Sequence, residues 1–297
     1  MIDYTLFKGC CGADMDFWVV DTFASVVFEG NPAVVCLLEK DLSTNVMQNI
    51  AREFNVHETV FVTPLQNQHF KIQIFSPWSN EPVCGHGLIA AGHVLWNELK
   101  LPGIDPDIIY FDLPAGIFMI SNRKDKITVH APAKTAEPAP APDRLINALG
   151  APPIAVSRCG QIYVVEMFNP RHVLKLEPDI AKLEKIPCTG VVVTAEGGGD
   201  AQYDFISRFF APSQGFKEDP VTLWNHCFLA TYWAHRLARS SLVAHQKANR
   251  GGDLFIECVQ EQVLISGSCI SSMKGSTCNC SNWSGISFKQ MSQERVF

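Results

Sequence analysis

Two stretches of the chain hold the residues with chemistry to offer, and they share one design. FSPWSNEPVCGHGLIAAGHVLW, residues 75–96, and FFAPSQGFKEDPVTLWNHCFLATYWAHRL, residues 209–237, each close a strand-like run with an aromatic and a proline. An acid-Pro-Val triplet follows in both, Glu81, Pro82 and Val83 in the first and Asp219, Pro220 and Val221 in the second. A histidine, His86 or His226, then opens an apolar helix. Proline after an acid keeps the acid's backbone out of the helical region, so each triplet reads as a tight turn leading into a helix. The N–H groups left free at such a start, with the positive end of the helix dipole, suit an anion. Two copies imply two halves, and a cleft between facing halves would see both helix starts.

Strands must deliver these helices. HFKIQIFSP alternates cleanly ahead of the first, and YDFISRFFAP precedes the second. The first helix, GLIAAGHVLWNEL, is apolar nearly all round and belongs inside, with sheet wrapped about it; HCFLATYWAHRLA is its counterpart. Upstream, DFWVVDTFA reads as a strand that passes through a Gly30-Asn31-Pro32 turn into a second apolar run. LSTNVMQNIAREFNV, with Val46, Ile50 and Phe54 on one face and Ser43 as N-cap, reads as an amphipathic surface helix before the strand HETVFVTP. IIYFDLPAG, IFMISN, KITVHAP, QIYVVEMF and GVVVTAE are further strands, DIAKLEKI is a second amphipathic stretch, and RGGDLFIECVQEQVLISGS is a closing hairpin. AKTAEPAPAPD is too proline-rich for a strand interior and reads as a linker. The expected division is therefore an N-terminal domain over 15–131 and a C-terminal domain over 132–275, with extensions at 1–14 and 276–297.

Composition narrows the function. With 297 residues, 47% hydrophobic and 18% charged, the chain can bury a large core. A net charge of -6 and no basic run exclude a nucleic-acid surface. No apolar run reaches membrane-spanning length, and MIDYTLFKGCCGAD lacks the pattern of a signal peptide, so a cytoplasmic protein without a membrane partner is expected. The 11 cysteines form no C-x-x-C pair, so no metal is expected. GGGD at Gly197–Asp200 lacks the helix that a phosphate-binding loop needs, so no cofactor is expected, only a small-molecule substrate.

Taken in order, VDTFASVVFEGNPAVVCLL, MQNIAREFNVHETVFV, EPVCGHGLIAAGHVL, SRFFAPSQGFKEDPVT and RGGDLFIE resemble the PhzF family of phenazine biosynthesis-like proteins. The resemblance implies an α+β fold of two pseudo-symmetric diaminopimelate epimerase-like domains, each an antiparallel sheet rolled around a central helix. It also implies an active cleft between the domains, a homodimer, and a cofactor-free allylic isomerisation in which a carboxyl moves a proton between carbons of a small ring acid. By position the acid/base catalyst is Glu58, and His86 and Asp219 line the cleft beside it. A carboxyl between an apolar helix and an apolar strand should have a raised pKa, which suits that role. The plainer alternatives are a solvated glutamate, a histidine bonded to nearby backbone and an aspartate that only forms the turn before Pro220. Asn31, Asn80, Gly85, Gly87, Trp224, Asn225 and His226 complete the expected substrate-binding set.

The departures from the family pattern matter most. Where the family has Gly-Ser-Ala-His, this chain has Leu223, Trp224, Asn225 and His226, so an indole takes the place of a serine that helps bind carboxylate. Asn80 replaces an acid, and Gly87 stands for alanine, opening room beside His86. The pocket reads as rebuilt for a larger, less charged secondary-metabolite intermediate. An isomerase moving a proton through Glu58 is the leading expectation. The alternatives are a pericyclase or cyclase that orients a polyene, a non-catalytic binding protein with Trp224 plugging a dead cleft, and a racemase using Cys84 and Cys227 as paired thiols.

Overall fold

The computed structural model describes residues 15–82, 84–123, 125–197 and 202–277. The extensions expected at 1–14 and beyond Thr277, together with Val83 and most of the Gly197–Asp200 loop, lie outside the described residues.

The first half runs β1 (Asp16–Thr22), β2 (Asn31–Leu37), α1 (Thr44–Phe54), β3 (Glu58–Pro64), β4 (His69–Phe75), β5 (Asn80–Glu81), α2 (Gly85–His93), β6 (Ile108–Leu113), β7 (Gly116–Arg123), β8 (Lys126–Pro132) and β9 (Glu137–Pro138). The second runs α3 (Asp143–Leu149), β10 (Ala155–Cys159), β11 (Ile162–Glu166), α4 (Pro170–Leu174), α5 (Ile180–Glu184), β12 (Gly190–Glu196), β13 (Phe205–Ala211), β14 (Phe216–Asp219), α6 (Leu223–Leu237), β15 (Ser241–Gln246), β16 (Gly252–Val259), β17 (Gln262–Gly267) and β18 (Cys269–Ser276). Pairing repeats between the halves. β1 and β2 are antiparallel, β2 and β3 parallel, β3 and β4 antiparallel, and β4 and β6 parallel; β10, β11, β12, β13 and β15 follow the same sequence. The fold is α+β as expected, and each sheet, expected to be antiparallel, also holds parallel pairs. β8 joins β17, and the last strand of each half crosses over: β9 pairs with β10 and β18 with β1.

Alternation explains how each sheet covers two layers. Val35 and Leu37 point inward to the core around α2, while Val34 and Cys36 point outward to Val46, Met47 and Ile50 of α1. The Ser43 hydroxyl caps α1 by accepting from the Val46 N–H, as its sequence position implies. All nine residues of α2 are buried, and the helix continues as a wider turn over Val94–Glu98. A Cβ on Gly92 would sit 2.8 Å from Ile127 Cγ2, so a glycine there lets sheet and helix close up. Trp233 of α6 is buried against Phe205 and donates to Thr194 Oγ1 at 3.0 Å. Across the outer face of β11–β13 lie α3, α4 and α5.

Four local expectations change. Asn31 and Pro32 belong to β2, and the turn before them ends at Gly30, whose φ is +66°. The helix α6 starts at Leu223, three residues before His226. Two linker residues, Glu137 and Pro138, form an edge strand, the sheet position that tolerates a proline. Ser276 lies inside β18, and the Thr277 N–H donates to the Met15 carbonyl at 2.9 Å, so the sheet extends past the expected end of the fold.

Candidate active site

The two helix starts meet. Gly85 and Leu223 each begin a helix, and a Cβ on Gly85 would lie 2.5 Å from Leu223 Cβ. Each helix start lies four positions after its motif acid, Gly85 after Glu81 and Leu223 after Asp219. That register makes Trp224, not His226, the counterpart of His86. Beside the junction opens a cleft of about 440 Å³, lined by Glu58, His86, Asp219 and Trp224, with His57, Cys84, Thr222, Phe216 and Trp78 among their neighbours.

Glu58 is the first residue of β3, and its side chain reaches the start of α2. It is only 6% exposed, and Oε2 lies 3.3 Å from His86 Nε2 without the alignment of a hydrogen bond. Burial raises its pKa to about 8; the Cys84 thiol pulls the other way, the Asp219 and Glu81 charges add to the rise, and the Gly87 N–H opposes it. Gly87 is what admits the carboxyl, since a Cβ there would sit 2.9 Å from Oε2 and 2.8 Å from Val60 Cγ2. The room it opens is therefore for Glu58, not for His86.

His86 is 4% exposed, and burial lowers its pKa to about 4, so the ring is neutral near pH 7. Its Nδ1 faces Cys84 Sγ at 3.4 Å and Asn31 Nδ2 at 3.5 Å. Asp219 ends β14. Burial would raise its pKa, but contact with His57, the charge of His86 and a hydrogen bond from Thr222 outweigh that and lower it. One carboxyl of the site is thus protonated at neutral pH and the other ionised, a division of roles set by environment.

Several residues expected to touch substrate do other work. Asn31 is fully buried and ties the halves together, its Nδ2 donating to Asp219 Oδ1 at 3.0 Å and to the Val221 carbonyl at 2.9 Å. Asn80 is exposed and pairs with Phe75 in β5, outside the cleft lining. Gly85 is the contact point with Leu223. Asn225 and His226 are buried beyond the cleft; His226 stacks on Phe205, and its Nδ1 lies 2.9 Å from the Thr222 carbonyl. Trp224 does line the cleft, leaning on Phe118 with ring centroids 5.7 Å apart, and leaves it open instead of plugging it. His57 was missed. The available signal was its position directly before Glu58, but a neighbour along a strand normally faces the opposite way.

Burial pushes the Cys84 thiol well above its ordinary pKa and Cys227 up to about 12, which disfavours paired thiolates. Glu58, Cys84 and His86 each place one ligand atom within 4.8 Å of the others, so they form a group that could hold a metal. Binding there would have to displace the protons that burial keeps on the carboxyl and the thiol. Among the described residues, no helix is long and apolar enough to cross a membrane.

Residues 20–275 match the PhzC-PhzF family, described as phenazine biosynthesis-like protein. The chain is 38% identical over 253 residues to an uncharacterized isomerase of Pseudomonas aeruginosa, covering 85% of this chain and 94% of that protein. Its structure is similar to a PhzF-family phenazine biosynthesis protein from Enterococcus faecalis, with a TM-score of 0.84 and 32% identity over 89% of this chain and 99% of that one. A hydroxyproline epimerase from Agrobacterium vitis, at TM-score 0.54 and 12% identity over 89% of this chain and 92% of that one, shares the fold alone.

Proposed function

Because the chain belongs to the phenazine biosynthesis-like family, in which relatives are named as isomerases, we propose that it is a cofactor-free isomerase of secondary metabolism. It moves a proton between two carbons of a bulky, weakly charged substrate. The observation that carries this reading is the buried Glu58 carboxyl, protonated near pH 7 and set against the cleft beside a neutral imidazole 3.3 Å away. A proton held at about 8 can be given to a carbon at neutral pH. Once it leaves, the Cys84 thiol and the Gly87 N–H favour the carboxylate.

The cleft lining supports the substrate class. Among the described residues its lining includes no Lys or Arg, and it carries the ionised Asp219 together with Trp78, Phe209, Phe216 and Trp224. A carboxylate ligand would meet like charge there, while a flat conjugated ketone would meet aromatic faces. The same aromatic walls favour a second reading, in which the cleft orients a polyene for cyclisation.

Glu58→Gln separates the two. Turnover is measured as conjugation of β,γ-unsaturated ketones in D2O, and the variant is expected to lose about 10²- to 10⁴-fold. Undiminished turnover would remove proton transfer by Glu58 and leave orientation as the source of any catalysis.

A further inference from the structure

A protonated carboxyl can give a proton but cannot take one, so a proton shift led by Glu58 needs a second group as base. We infer that His57, oriented by Asp219, is that base. It takes a proton from one substrate carbon while Glu58 supplies a proton to another. The inference rests on Glu58 being the acid proposed above.

His57 directly precedes β3 and lines the same cleft as Glu58, with 30% of its side chain exposed. Its Nδ1 lies 3.5 Å from Asp219 Oδ1, and its ring rests against Phe216 with centroids 4.9 Å apart. These contacts leave Nε2 as the nitrogen open to a bound molecule. Asp219 is itself held: Asn31 donates to Oδ1, the Thr222 hydroxyl to Oδ2, and Gln246 to its backbone carbonyl at 2.8 Å. A carboxylate fixed on one ring nitrogen sets the tautomer and stabilises the imidazolium formed at the other.

Among the other cleft bases, both Asp219 oxygens carry donors, Glu81 accepts from the Ser76 and Ser79 hydroxyls at Oε1, and the two His86 nitrogens face Glu58 and the Cys84–Asn31 pair. The ionisable groups facing His57 are Asp219 from β14 and His86 from α2, with Glu58 next in the chain.

For a β,γ-unsaturated ketone the step balances without a co-reactant. His57 Nε2 takes the α-proton, and the C–H electron pair enters the dienolate. The γ-carbon then takes the Glu58 proton, leaving the double bond in conjugation. The enzyme holds imidazolium and carboxylate until a proton returns from one to the other through water.

Cyclohex-3-en-1-one in D2O is the probe, with absorbance reading the conjugated product and mass spectrometry reading deuterium. His57→Gln is expected to lower kcat about 10²- to 10⁴-fold with little change in KM and to abolish the acidic limb of the pH profile. Glu58→Gln loses conjugation but still exchanges α-hydrogen, because the base remains. If His57→Gln keeps both rate and limb while Glu58→Gln loses conjugation, His57 is not the base and the Glu58 reading stands. If neither variant changes turnover, both readings fall. Ring 15N NMR at a fixed pH tests the dyad without turnover: Asp219→Asn should shift His57 away from the tautomer that carries its proton on Nδ1, and an unmoved tautomer overturns the pairing.

Discussion

At the start of α2 stand Cys84, Gly85, His86 and Gly87; at the start of α6 the same positions hold Thr222, Leu223, Trp224 and Asn225. The first set is small on both sides of its histidine, so the Glu58 carboxyl can press against the helix start and lose its water. In the second set the bulkier Leu223 fills the space beside Gly85, and Trp224 makes a wall of the cleft. One start concentrates ionisable groups, and the other sets shape. His86 and His226 sharpen the lesson, because burial lowers both to a pKa of about 4, yet one faces a carboxyl and the other stacks on Phe205. A histidine at a helix start acquires chemistry from what shares its pocket.

The largest effect is expected where a proton is buried. A raised Glu58 pKa means that the folded protein holds this proton more tightly than the unfolded chain does. That stabilisation is complete below the ordinary value of 4.5 and is lost as pH rises to about 8. Glu58→Gln should therefore gain on the parent protein across that range, by about 1.4 kcal/mol per unit of pKa difference. Urea midpoints at pH 5 and pH 9 read the gap, and a constant gap would mean that the first start holds no buried proton.

Next comes His226, whose lowered pKa costs stability as pH falls from 6.5 towards about 4. His226→Gln and His86→Gln should both flatten that acid loss in denaturation curves, while only His86→Gln lowers turnover. Equal effects on turnover would break the contrast between the two histidines.

The meeting of the starts is open to a double-mutant cycle. Gly85→Ala is expected to cost about 1–3 kcal/mol through the clash with Leu223, and Leu223→Ala should recover part of that. Strict additivity would mean that the two residues do not touch. The smallest stability change, under about 1 kcal/mol, is expected for half-buried Trp224→Ser. Its effect should appear in binding as weaker retention of flat apolar ketones and new tolerance of small carboxylates, measured by calorimetry. Unaltered preference would deny the second start its part in shaping the cleft.

Much of the fold was legible because its rules are local. The Ser43 cap, the 3.6-residue spacing of Val46, Ile50 and Phe54, the alternation in HFKIQIFSP and the uniformly apolar first helix all led to the elements observed. The ordered motifs brought Glu58, His86 and Asp219 to one cleft. Less legible were β9, β10 and β18, two of which form the crossed edges between halves and depend on partners far away in sequence. Within the candidate site, Asn80, Asn225 and His226 were drawn in by nearness along the chain, and His57 was left out although it sits beside Glu58 in both sequence and cleft.

Residue order alone determined the repeated plan and the family and made Glu58 a candidate for acid/base work, because cap, period and motif are properties of neighbouring residues. Only the packed halves decided which of two histidines meets that carboxyl, that Asn31 bridges the halves, and that Gly87 makes room for Glu58. Desolvation and side-chain contact depend on distances between strands and helices far apart in the chain, and those distances exist only once the two helix starts have come together.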